Sequence, residues 1–235
     1  MSEDTPEAVA RDVLRTCSNC DLCRDLLAEA PCQFFPRLFM LGDRMAAGGE
    51  APTGRELADL IDLCNSCGQC PCTQIQTEIR EAKNAFVARD GLPLRVRLVE
   101  DVQLVGRLCG TLPSVTNAVL SVKPVARLVK RAFGIHPDRR IPTIPKENFD
   151  AWAEREGLHA PVTGADRKVA YFVGCTARHL YPQVAIATVE VLRANGIGVW
   201  VPPQKCCGMP THLEGDRPFT YRLAEFNLPV LAAAV

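Results

Sequence analysis

The sequence predicts an α+β protein built in two unlike parts, an α-helical N-terminal half organised around cysteine loops and a small α/β module at the C-terminal end. Three observations predict it. Eight of the twelve cysteines fall in two tight runs with a fourth cysteine close to each. Helical signals alternate with those runs. After residue 165 the pattern changes to short apolar stretches on either side of one helix, the order of a βαβ unit.

Taken in order, residues 5–15 read as a short helix leading into the first run, Cys17-Ser-Asn-Cys20-Asp-Leu-Cys23, which is followed by Cys32. Gly48, Gly49, Pro52 and Gly54 then break the chain. Thr53 can cap the next helix, and Glu56 three residues later completes a capping box. That helix, from Gly54 to about Leu63, delivers the second run, Cys64-Asn-Ser-Cys67-Gly-Gln-Cys70-Pro-Cys72. A further helix, rich in Glu, Ala and Lys, is expected from about Gln74 to Arg89. Helices alternating with cysteine loops describe a mostly α-helical ferredoxin-like domain, assigned to residues 1–110.

Residues 111–165 read as a basic helix and a Pro-rich linker. Val115, Ala118, Val119, Val122, Val129 and Phe133 recur at helical intervals over 114–134, and Pro124 is expected to kink that helix. Lys123, Arg127, Lys130 and Arg131 give it a basic face. The face reads as solvated on a helix packed against its own protein; the alternative is contact with an acidic partner or an anionic membrane surface. One short helix is expected near Phe149–Glu156.

The last part, residues 166–235, reads as a partial cysteine-rich domain. Lys168-Val-Ala-Tyr-Phe-Val173 reads as a buried strand ending at Gly174-Cys175. A helix over 182–195 ends at Asn195-Gly196, a good C-cap. Ile197–Val201 reads as a second strand, parallel to the first, that runs out toward Cys206-Cys207-Gly208. Strand C-terminal ends are where open α/β sheets place their sites, so Cys175, Cys206 and Cys207 are expected to converge there and to hold metal. His179 and His212 lie near them in sequence and read as surface histidines, with ligand or proton-donor roles as the alternative.

The cysteine spacing carries the chemistry. C-x2-C-x2-C is the ligand spacing of a cubane iron–sulfur cluster, and two such runs imply two [4Fe–4S] clusters. In two-cluster ferredoxins the distal cysteine of each run serves the other cluster. Cys17, Cys20 and Cys23 are therefore assigned with Cys72, and Cys64, Cys67 and Cys70 with Cys32. Only one residue separates Cys70 from Cys72, and Pro71 precedes the last cysteine rather than following it. Cys109 is thus the alternative fourth ligand of the first cluster; otherwise it reads as a buried small hydrophobe. Zinc is the rival metal, since paired C-x2-C units make tetrahedral sites, but a third cysteine at the same interval would be surplus. Disulfides do not fit, because the acidic N-terminus has no apolar signal region.

Composition narrows the partners. The 27 basic and 27 acidic residues cancel, which argues against non-specific nucleic-acid binding. Residues 1–31 nevertheless carry seven acids against three bases, and residues 95–140 nine bases against three acids. No apolar stretch approaches the roughly 20 residues needed to span a bilayer. A cytoplasmic location is expected, with peripheral attachment at the inner face of the membrane as a possibility.

Twin C-x2-C-x2-C runs, a linker, Gly174-Cys175 and then Cys206-Cys207-Gly208-Met-Pro resemble the CCG-type iron–sulfur oxidoreductases. That family includes heterodisulfide reductase subunits and the iron–sulfur subunits of glycerol-3-phosphate, glycolate and lactate oxidation. The resemblance implies an electron-transfer subunit, relaying electrons between a flavoprotein or other redox subunit and a quinone-reducing or disulfide-reducing site, with a third metal or cluster at the CCG cysteines. The family's module has a C-x-x-C after its CCG and usually occurs twice. Here there is one CCG and no following C-x-x-C, and the chain is expected to be the front half of a longer protein or one product of a split gene. No Gly-rich phosphate loop is present, so any flavin is expected on a partner. The competing readings are a zinc-binding or cluster-sensing module and a heterodisulfide reductase catalytic fragment.

Overall fold

The computed structural model describes residues 5–27 and 32–234. Two compact units emerge. One runs up to Leu92 and takes in His212–Arg217; the other comprises Pro93–Thr211 and Pro218–Val235.

The first unit is helical: α1 (Pro6–Ser18), α2 (Asp21–Leu26), α3 (Phe34–Ala46), α4 (Gly54–Asp62) and α5 (Thr73–Asp90). Helix α1 starts where Thr5 Oγ1 accepts the Ala8 N–H and continues past residue 15 through Cys17. Thr53 caps α4 with the expected reciprocal box: its hydroxyl accepts the Glu56 N–H at 3.2 Å, and Glu56 Oε2 accepts the Thr53 N–H at 3.0 Å. Glu56 also grips Arg44 at the end of α3, at 2.8 and 3.0 Å. The core is Ala10, Val13 and Leu14 of α1 against Phe34, Phe35, Leu38 and Leu41 of α3, Leu57, Leu60 and Ile61 of α4, and Ile75 and Ile79 of α5. Each Val, Leu, Ile or Phe of this set contributes about 1.5–3 kcal/mol by leaving water. Cys17 and Cys23 belong to this same cluster, so the packing that folds the unit also fixes two thiols.

The second unit opens with four short helices, α6 (Leu94–Glu100), α7 (Val102–Thr111), α8 (Pro113–Ser121) and α9 (Lys123–Ala132). The single kinked helix expected over 114–134 is instead two helices. Pro124 sits in the first turn of α9, where its missing N–H costs nothing. Next comes α10 (Phe149–Arg155), capped by Asn148. Then follow β1 (Arg167–Ala170), α11 (Cys175–His179), α12 (Pro182–Ala194), β2 (Ile197–Trp200), α13 (Met209–Glu214), whose residues from His212 on count with the first unit, and α14 (Arg217–Ala232), which rejoins the second from Pro218. The strands pair in parallel, Arg167 opposite Ile197 through Ala170 opposite Trp200. The sheet is smaller than the sequence suggests, and β1 is not the buried strand expected, for Arg167, Lys168 and Val169 all face water. Phe149, Trp152, Val173, Ala185, Val189, Val199 and Val201 form the core of this part. Among the described residues no helix is long and apolar enough to cross a membrane.

Candidate metal centres

The second cysteine run is a true loop. It leaves α4 at Leu63 and enters α5 at Thr73, with no regular structure between. Ser66 takes a left-handed conformation at φ 50°, which turns the chain back on itself. The loop closes over a cavity of about 370 Å³ lined by Cys64, Cys67 and Cys70 and, from just before α3, by Cys32. Phe34, Phe35 and Ile79 give that cavity an apolar floor. The four thiols assigned to one cluster thus line one space. The Cys70 thiol is pushed up to about 11, first by burial and then by the neighbouring sulfurs of Cys64, Cys32 and Cys67.

The first run is built differently. Cys17 lies in the last turn of α1, Cys20 occupies the N-cap position of α2 without a side-chain capping bond, and Cys23 lies inside α2, so helix ends rather than one loop set the three positions. Cys72 sits at the N-cap position of α5, which packs along α1. Burial pushes the Cys17 thiol up to about 12, with Cys23, Cys20 and Cys72 adding repulsion in that order. Cys23 is raised by burial and by Cys20, Cys72 and Cys32. Cys72 is therefore an electrostatic neighbour of the first run, as Cys32 is of the second. Cys109, half-buried in α7, is raised by burial alone and feels no other thiol.

The donor sets fit an iron–sulfur group. Thiolates crowded in a partly desolvated site repel one another, and a cationic metal body among them reverses that penalty. Among the described residues no three His, Cys, Asp or Glu side chains stand in the geometry of a site for one metal ion.

The third constellation lies past the strand ends. Tyr171 N–H continues the pairing to Trp200 O at 2.7 Å. Beyond it the buried Gln204 ties the two connections together. Its Oε1 accepts the Val173 N–H at 2.8 Å, and its Nε2 donates to Tyr171 O and Pro202 O, each at 3.1 Å. Arg178, paired with Asp150 at 2.7 Å, donates to Gln204 O at 3.0 Å. From α14, Asn227 Oδ1 accepts the Lys205 N–H at 2.8 Å, and Nδ2 donates to Cys206 O at 3.0 Å. Gly208, at φ +86°, lets the chain turn directly after the two cysteines.

This clamp brings Cys175, Cys206 and Cys207 together. The Cys206 sulfur accepts a hydrogen bond from Cys175 and others from the Gly208 N–H and Cys207, which lowers its pKa, while the same Cys175–Cys206 bond and burial hold the Cys175 proton on. A thiolate is the form that binds metal or attacks. Gln204, Arg178 and Asn227 gave no signal in the sequence, because a lone Gln, Arg or Asn in a loop or helix shows its bonding only once folded.

The histidines do not behave alike. His179, expected at the surface, is buried against α7, where Gly106 leaves room for its ring; a Cβ there would lie 2.6 Å from Cγ. Its Nε2 is buried with no hydrogen-bond partner, and desolvation lowers its pKa first, helped by Arg178. Burial thus favours the neutral imidazole. His212 turns to Arg80, Nε2 to Nη1 at 2.9 Å.

Residues 169–233, which contain all three of these cysteines, match the family model of the CCG cysteine-rich domain. Over 68 residues the chain is 37% identical to lactate utilization protein A of Halalkalibacterium halodurans, a stretch making up 28% of this chain and 28% of that protein. No solved structure matches.

Proposed function

We propose that this chain, whose residues 169–233 form a CCG cysteine-rich domain, is the electron-transfer part of a multi-subunit oxidoreductase. Cys17, Cys20, Cys23 and Cys72 hold one [4Fe–4S] cluster of a helical ferredoxin-like domain, and Cys64, Cys67, Cys70 and Cys32 hold the other. A bound cluster supplies a one-electron carrier. The observation that carries the reading is the cavity lined by Cys32, Cys64, Cys67 and Cys70. It unites a cysteine of the first run's neighbourhood with three of the second, the cross-ligation of a two-cluster relay. Electrons enter from a flavoprotein or other redox subunit and leave toward the CCG cysteines, where Cys175, Cys206 and Cys207 offer thiols to a further metal or cluster. A quinone or a disulfide is the terminal acceptor. The relative's role in lactate utilization, taken from its name, supports a redox setting of this kind. The protein acts in the cytoplasm, and no nucleic acid takes part.

Anaerobic reconstitution tests this. Iron should reach at least about eight atoms per chain, and the reduced protein should give coupled EPR signals. Stoichiometric zinc with no iron would overturn the reading. Cys72→Ser should remove the signal of the cluster held by Cys17, Cys20 and Cys23, whereas Cys109→Ser should stay iron-replete; the reverse result would move the fourth ligand of the first site to Cys109.

A further inference from the structure

The second unit carries a surface that electron transfer leaves unused. Residues 102–137 contain no aspartate and no glutamate, yet hold Arg107, Lys123, Arg127, Lys130 and Arg131. This segment is α7, α8 and α9, each touching the next. They hide almost nothing: no residue of α7 or α8 is buried, and in α9 only Ala126 is. Most of their large apolar side chains stand in water instead. Leu104, Leu108 and Leu112 follow one another at helical spacing, as do Val115, Val119 and Val122, and then Val125 and Leu128. Leu108 is 65% exposed, Leu112 62% and Leu128 70%. A helix of a soluble domain normally turns such a stripe inward, and a long exposed apolar surface marks a site of association.

Charge selects the occupant. A protein partner would have to present a negative patch matched in shape to all three helices and to the apolar side chains between the cations. A plane of anionic headgroups has no register and asks only for cations beside an apolar stripe. Three short helices separated at Pro113 and Pro124, none able to span a bilayer, suit lying in the headgroup layer. We propose that Val102–Phe133 is a peripheral docking segment for an anionic lipid bilayer, with Leu108, Leu112 and Leu128 inserting and Lys123, Arg127, Lys130 and Arg131 meeting the headgroups. The proposal does not depend on the clusters.

The test is co-sedimentation of the full 235-residue chain with vesicles of phosphatidylcholine alone, or with about one-third phosphatidylglycerol. Binding is expected to the mixed vesicles and only weakly to the neutral ones. Leu128→Asp should weaken it about tenfold or more, and so should Lys130→Glu with Arg131→Glu. Tyr221→Asp, at an exposed aromatic of α14, should leave it unchanged. Far-UV circular dichroism checks that each variant is folded, and iron measured on the same samples keeps this outcome separate from cluster loading. Failure of the native chain to bind the mixed vesicles would overturn the proposal. So would equal binding to neutral vesicles, equal loss with Tyr221→Asp, or a complex with an acidic protein that Leu128→Asp breaks while vesicles stay free.

Discussion

Gln204 shows how much one side chain can fix. Its amide answers a donor from one strand connection and two acceptors, one on each connection, so the spacing between Cys175 and Cys206 depends on it. Gln204→Ala would leave the Val173 N–H in a buried place with no acceptor. That costs about 1–3 kcal/mol, read as a lower urea midpoint with unchanged slope. A loss below about 0.5 kcal/mol would mean that water replaces the amide and that the clamp is not what holds the cysteines.

At the scale of the element, α4 is the best-specified helix, and its start is sensitive to acid. Glu56 is drawn down from 4.5 to about 2, first by the Arg44 guanidinium and then by the Thr53 N–H. A carboxylate held below its unfolded value contributes stability above that value and loses it as pH falls through the folded one. The stability gap between the native chain and Glu56→Gln should therefore be full at pH above 4.5 and close as pH falls toward 2. Thermal melts of both chains across that range measure it, and a gap indifferent to pH would refute it. Helix α4 was legible because its cap is chemical: Thr53 and Glu56 announce themselves three residues apart. The parallel strand pair and its cysteine-bearing ends were legible from apolar runs bounded by glycine and cysteine. Helix α3 is absent from the elements expected of the sequence although Phe34, Phe35, Leu38 and Leu41 keep helical spacing, because its start has no capping side chain. The division of 114–134 into two helices was equally open to view, since a proline is more comfortable in a first turn than in an interior. His179 could not be read, for its burial depends on the absence of a side chain at Gly106, far away in sequence.

For the whole molecule, two separate cores predict two separable unfolding events. Phe35 is central to one, packed against Phe34 and Phe39 at ring separations of 5.2 and 5.8 Å; Phe149 is central to the other, against Trp152 at 5.6 Å. Phe35→Ala and Phe149→Ala should each cost about 3–5 kcal/mol, and each should lower a different calorimetric transition. A single transition lowered alike by both would show that the chain melts as one body.

Cys32 has a consequence for how the chain is put together. It stands just before α3, yet shares a cavity with Cys64, Cys67 and Cys70. A cluster held by all four ties residue 32 to residue 64 and makes a closed ring of the chain between them, with α3 and α4 threaded along it. Shutting a ring of that length removes about 3–4 kcal/mol worth of freedom from the unfolded chain. With the proposed cluster bound there, metal insertion would be a folding step as well as a loading step. An assembly factor that delivers iron before α3 has packed would meet only three thiols of the four, and the ring would close last.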